Sequence, residues 1–389
     1  MYIKKSVLVI GAILLILVTA FLTIGAVNPF GFTAFGDLLR FTYVSRLIEH
    51  NYYQDVDSET YSNTALQGVA AATGDPYTGY LWGDEADAYM ENLEGNYQGV
   101  GLYIENNTED NSITVVSAIA GTPAEAAGIT TGDKILKIDG ETYTGQQLNE
   151  AANCMRGIEG SEVTLTVMRA AAQKTEELTL TRREIEIQNV SGSMVTDSIG
   201  RIMITQFTDG TSEKFAKSYQ ELQNQGMKKL VIDLRNNPGG LVDEAAKVAN
   251  MFVEDGKVIV YTMDKAGDRV DYPATGDAAR IPIVILTNGG SASASEILTG
   301  ALKDYQIGYQ IGEKTYGKGI VQGVYNLGKD SILSVTVARY YTPNGVCIHG
   351  EGITPDEVVA MDAQKYSRLT ALAPEEDDQL QAAVEYLSR

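Results

Sequence analysis

The sequence predicts a multidomain α/β protein that begins with an N-terminal membrane anchor and a helical arm. Three observations carry that expectation. A chain of 389 residues exceeds one ordinary domain. It opens with an uncharged apolar stretch from Val7 to Ala26. Beyond that stretch the pattern changes twice, from helical spacing to short alternating strands, then to continuous apolar strands interleaved with helices.

The first stretch sets the compartment. Twenty residues run from Val7 to Ala26, and at about 1.5 Å each they span roughly 30 Å, the thickness of a bilayer's hydrocarbon core. Lys4 and Lys5 precede the stretch and no lysine follows closely, which orients the amino terminus inward. A cleaved signal peptide is the competing reading. Its apolar region is usually shorter and ends in a small-x-small site, which Ile24-Gly25-Ala26 matches poorly. The expectation is therefore a single-pass anchor over residues 1–30 in the cell membrane, with the remainder of the chain on the extracytoplasmic side. Under either reading the bulk of the chain is exported.

Residues 31–95 read as the helical arm. Leu38, Leu39, Phe41, Val44, Leu47 and Ile48 recur at spacings of three and four and mark one apolar face, which Asn51-Tyr52-Tyr53 ends. A second apolar run after Ser62-Asn63-Thr64 stops at Gly74-Asp75-Pro76. The stripe must pack somewhere, and a second copy of the chain is one such place, so a homodimer is expected. Residues 96–185 change to short strands. Gly99-Val100-Gly101-Leu102-Tyr103-Ile104 enters one strand, and Ile113 to Val116 is another. Thr122 caps a short helix with Pro123 at its first position, and Gly128 ends it. Asp133 to Gly140 alternates polar and apolar before a turn; a helix from Gln146 to Met155 and a strand from Glu162 to Met168 complete the unit. Residues 186–361 form a larger α/β unit around the apolar runs Lys229 to Leu234 and Ile281 to Leu286. Residues 362–389 are a helical tail, with a helix from Asp377 to Leu387 that is expected to pack on the amino-terminal helices.

Composition narrows the function. A formal net charge of -21 repels phosphates and anionic lipid, so no nucleic acid is expected as a partner. The two cysteines, Cys154 and Cys347, form no disulfide framework or metal spacing, and with only two histidines, His50 and His349, no metal site is expected.

The chemistry concentrates after the strand ending at Leu286. The turn Asn288-Gly289-Gly290 and the run Ser291-Ala292-Ser293-Ala294-Ser295-Glu296 place a serine at a helix start, where unpaired N–H groups stabilise an oxyanion. A serine hydroxyl is a weak nucleophile without a base. His349, His50 and Lys318 are the candidates: a histidine would build a triad in space, whereas a desolvated lysine takes the proton as a neutral amine. Lys318 lies between Gly317 and Gly319, and in an extended segment Gln322 shares its face.

Two resemblances sharpen this reading. The stretch GTPAEAAGITTGDKILKIDG, in its setting of turns and strands, resembles a PDZ domain of the bacterial protease-associated kind. Such domains hold a peptide as an added strand and capture its carboxylate on a glycine-rich loop. That resemblance puts the loop at Gly99, Val100, Gly101 and Leu102, with Leu102 and Ile104 lining the groove. SASASEI, ALKD, GEKTYGKGIVQ, DLRNNPGGL and GITPD together resemble the carboxyl-terminal processing (tail-specific) serine peptidases, whose protease domain is crotonase-like. The resemblance covers nearly the whole exported region. It implies Ser293 as nucleophile, Lys318 as general base and Gln322 as the residue that positions the lysine. It further implies an oxyanion hole from Gly239 or Gly240 with Ala294, and a supporting acidic position at Asp304. No cofactor or metal is implied, and the substrates are proteins or peptides with accessible C-termini.

Overall fold

The computed structural model describes Thr19 and residues 31–172, 174–366, 369 and 372–389. Apart from Thr19, the predicted anchor lies outside the described residues. Among those described, no helix is long and apolar enough to cross a membrane. The chain divides into two compact units at Ala70 and Ala71.

The first unit carries the two predicted arm helices, Gly31–Asn51 and Ser58–Ala71. The Asp57 carboxylate receives the Thr60 N–H at 2.9 Å at the start of the second helix. Bonds from Thr60 hold that carboxyl below its usual range. The apolar stripe of the first helix is real and uncovered: Leu38, Leu39, Phe41, Val44, Leu47 and Ile48 are all exposed.

The second unit contains both remaining domains. The smaller is an antiparallel sheet whose main path runs Leu102–Asn107, Ser112–Ala118, Lys134–Ile138, Glu162–Met168 and Thr175–Thr181. Alternation decides its inside: in Glu162–Met168, Val163, Leu165 and Val167 are buried while their neighbours are not. They meet Ile113, Val115, Ile135, Ala151 and Met155 in one core. Thr122 caps the helix Pro123–Ala126, as expected. The chain enters and leaves this domain on a paired ribbon, Asn96–Gly99 against Arg183–Glu186.

The larger domain has a six-stranded sheet. Val190–Met194 runs antiparallel to Ile199–Ile204, followed by the parallel strands Lys229–Asp233, Ile283–Thr287, Gly308–Gly312 and Glu357–Val358. Every residue of Ile283–Thr287 is buried, which is why it reads as an unbroken apolar run. Each large aliphatic side chain buried this way contributes about 1.5–3 kcal/mol. One face packs on the helices Thr211–Asn224, Val242–Asn250 and Ala294–Asp304. A second sheet joins Gly79–Trp82, Ser331–Tyr341, Val258–Asp264 and Arg269–Pro273, with Ile320–Gly328 also paired to Ser331–Tyr341.

Two boundaries differ from expectation. Residues assigned to a helical arm through 95 include a strand, Gly79–Trp82, that pairs with Ser331–Tyr341. Its four residues are too short for their alternation to stand out, and the pairing is decided more than 200 residues downstream. The C-terminal helix, Asp378–Ser388, uses its apolar face elsewhere than expected. Leu380, Ala383 and Leu387 pack on Ile199, Val231, Val284, Leu286 and Ile311, the other face of the large sheet. Tyr386 stacks on Tyr309 with centroids 3.9 Å apart. The tail is thus a layer of the large domain, because a parallel sheet needs both faces covered.

Candidate active site

Between Ile283–Thr287 and Ala294–Asp304 the chain turns sharply, and Ser293 holds φ 54° and ψ -113° at the helix start. A non-glycine residue there is strained by about 1–3 kcal/mol and persists only where its surroundings over-determine it. Glu296 supplies part of that constraint. The Ser293 N–H donates to Glu296 Oε2 at 2.8 Å, and the Glu296 N–H donates to the Ser293 carbonyl at 2.8 Å. The flanking serines are spent on architecture. Ser291 Oγ donates to the Leu234 carbonyl at 2.7 Å, and Ser295 Oγ donates to the Asn237 carbonyl at 3.0 Å. Of the three, Ser293 alone is left to the site in this geometry.

Lys318 precedes the strand Ile320–Gly328, and its Nζ donates to Gln322 Oε1 at 3.2 Å. Gln322 Nε2 donates in turn to the Tyr77 carbonyl at 3.2 Å. This fixes which end of the amide faces the lysine. The Tyr77 ring lies 4.8 Å from the amine. Burial pushes the Lys318 pKa below the usual lysine value, while the Asp75 carboxylate acts in the opposite sense. The flanking glycines are required by close backbone approach. A Cβ on Gly317 would lie 2.9 Å from the Gly352 nitrogen, and one on Gly319 2.4 Å from the His349 nitrogen.

One carboxylate ties the two halves together. Glu296 Oε2 accepts from the Lys318 N–H at 2.9 Å as well as from Ser293, while Oε1 accepts from the Gly317 N–H at 2.8 Å and Thr315 Oγ1 at 2.6 Å. Glu296 is fully buried. Burial pushes its pKa up against the pull of those donors, led by Thr315. Glu296 stands three residues after Ser293, the spacing of a capping box; that local signal was available in the sequence.

The loop after Lys229–Asp233 reaches the same place. A Cβ on Gly239 would lie 2.7 Å from the Ser293 Cβ, so glycine is required there. The Gly239 N–H is already engaged by Asn237 Oδ1 at 2.8 Å. Among the described residues, the N–H groups of Gly240 and Ala294 have no protein acceptor. Beneath the loop, Arg235 is buried and clasped between Asp233 and Asp377, with two bonds of 2.7 Å to the Asp377 carboxylate. Arg201 also reaches Asp233 at 2.6 Å. Burial pushes the Asp233 carboxyl up, but the Arg235 and Arg201 charges and the Arg235 hydrogen bonds together hold it below its usual range. Asp377 sits 142 residues from its partner, and no spacing rule connects them.

Other predicted residues are placed differently. Asp304 ends the helix that Ser293 begins, roughly 15 Å away by helical rise, where it accepts the Asn344 N–H at 2.8 Å. It holds a loop and is not brought to the site. His50 belongs to the first unit. His349 lines a cavity of about 610 Å³ with Asp75, Thr78 and Arg339, and its Nδ1 is buried without a partner among the described residues. In the small domain, Val100, Gly101, Leu102 and Ile104 line a groove of about 70 Å³ with Met155 and Arg156. Gly99 lies instead in the entry ribbon, opposite Arg183. Tyr97, which the sequence did not single out, lines the same groove, and Arg156 lies over its ring at 5.4 Å.

Comparison with known proteins agrees with the fold and motifs. Residues 198–359 match peptidase family S41, and residues 114–169 match a PDZ domain. A probable CtpA-like serine protease of Staphylococcus aureus is 36% identical over 92% of this chain and 73% of its own length. The carboxyl-terminal-processing protease of Synechocystis sp. is 37% identical over 90% of this chain and 81% of its own. A putative S41 protease from Bacteroides fragilis shares the fold, with a TM-score of 0.56 at 17% identity over 87% of this chain and 91% of that one. The chain belongs to peptidase family S41, as a serine peptidase of the carboxyl-terminal processing type with a PDZ domain.

Proposed function

With that membership as premise, we propose that the chain cleaves peptide bonds with a Ser293/Lys318 dyad supported by Gln322, outside the cytoplasmic membrane. The observation that carries the dyad is the shared Glu296 carboxylate, which holds the main chains of nucleophile and base at 2.8 and 2.9 Å. The substrate's C-terminus docks on the PDZ groove, and an upstream stretch reaches the large domain. Neutral Lys318 takes the Ser293 proton as Oγ attacks the scissile carbonyl carbon. The N–H groups of Gly240 and Ala294 receive the oxyanion. The C–N bond then breaks, Lys318 returns the proton to the departing amine, and an activated water hydrolyses the remaining ester. Burial of the amine supports this reading, because it favours the neutral form the first step needs.

The compartment follows from the apolar stretch Val7 to Ala26 behind Lys4 and Lys5, which would anchor the chain with its site outside the cytoplasm. The exposed stripe on Gly31–Asn51 supports a homodimer through that helix.

Turnover of an unfolded protein by the parent, Ser293→Ala, Lys318→Ala and His349→Asn tests the dyad. The first two are expected to lose at least about 10⁴-fold in kcat, with peptide binding retained and His349→Asn near the parent. Unchanged turnover in Lys318→Ala would reject the lysine base, and loss in His349→Asn alone would transfer the role to the histidine.

A further inference from the structure

We propose that Tyr340 is a further member of the catalytic centre, a positioning residue whose phenol and backbone N–H together fix the main chain that carries Lys318. This rests on the dyad reading above. Tyr340 lies near the end of the strand Ser331–Tyr341 and is 1% exposed within the main core. A phenol buried so deeply has to find its partners inside the protein, and these are the partners it has. Its O–H donates to the Lys318 carbonyl. Its own backbone N–H donates to the Gly319 carbonyl at 3.1 Å.

The segment that carries the base is thereby held from both sides. Glu296 takes the N–H groups of Gly317 and Lys318, the Gly350 N–H donates to the Gly317 carbonyl at 2.9 Å, and Tyr340 takes the next two carbonyls. Burial, joined by the Glu296 charge, pushes the Tyr340 pKa well above the usual tyrosine value. Tyr340 therefore neither gives up nor takes a proton in the reaction. It keeps the main chain of Lys318 in place while the amine takes the Ser293 proton. Nothing places it against substrate, so its loss acts on kcat and not on KM.

Tyr340→Phe keeps the ring and deletes only the oxygen, a change close to volume-conserving. Kinetics of the full chain, with Ser293→Ala and Lys318→Ala alongside, test the inference below the melting midpoint of each variant. Loss of that side-chain hydrogen bond is expected to lower kcat about 2- to 10-fold, with KM within about twofold. The single-turnover rate of acylation by an activated peptide ester should fall in parallel. A kcat equal to the parent's, or a change in KM alone, overturns the role of Tyr340. Should Phe melt too early to assay, Tyr340→Met serves as the second variant, and full acylation in a folded Met variant likewise overturns it. Retained turnover in Ser293→Ala or Lys318→Ala would instead sink the dyad itself, so the two failures are separable.

Discussion

The candidate catalytic centre and the PDZ groove are completed to different degrees. Around Ser293 and Lys318 the two main-chain N–H groups share the Glu296 carboxylate and the amine is held by Gln322, while two N–H groups, on Gly240 and Ala294, are left open among the described residues. In the groove the walls are side chains. Tyr97 stands in the lining beside Leu102, and its ring is covered by Arg156. The difference teaches that hydrogen bonds hold the backbone of the candidate centre before any ligand arrives, whereas the groove offers a peptide side chains to pack against. Fixed backbone favours rate, and a side-chain wall favours selectivity.

The comparison breaks hardest beneath the oxyanion loop. Arg235→Ala strips Asp377 of its buried counter-charge and leaves Asp233 with Arg201 alone, so a loss of about 3–5 kcal/mol is expected, read as a fall in chemical-denaturation midpoint. A parent-like midpoint would mean that the clasp is dispensable. Because the Asp233 carboxyl is held below its usual range, its contribution is present above the unfolded carboxylate pKa and is lost as pH falls through the folded one.

A finer test touches the base alone. Gln322→Ala removes the acceptor 3.2 Å from Lys318 and should lower kcat about tenfold or less. Under the proposed dyad the rate depends on neutral amine, so kcat/KM should rise with pH as Lys318 loses its proton. The Asp75 charge favours the protonated amine, so Asp75→Asn should move that rising limb to lower pH. A limb that stays put, or moves up, would separate Asp75 from the base.

The smallest effect belongs to the groove. Tyr97→Ala removes a ring from the groove lining beside Leu102 and should weaken binding of a peptide with a free C-terminus by a few-fold, about the worth of part of a buried ring. Calorimetry showing equal or tighter binding would mean that Tyr97 is no part of the binding wall. Burial pushes the Tyr97 pKa up to about 12, so the ring stays neutral across the working pH range.

Much of this was legible without a fold. Periodicity marked the strands Glu162–Met168 and Lys229–Asp233 and the helix Asp378–Ser388 to within a residue or two. Short motifs carried Ser293, Lys318 and Gln322, because a turn, a helix start and a face-sharing pair are decided by neighbours in sequence. Only the tertiary structure decided the rest. Tyr77 reaches Gln322 across 245 residues, Asp377 reaches Arg235 across 142, and Tyr340 reaches the Lys318 carbonyl across 22. The tail helix covers the sheet and Gly79–Trp82 joins another for the same reason. Local chemistry is determined by which residues are adjacent, but the burial that lowers a lysine pKa, or completes a buried arginine's partners, exists only once remote elements close over it.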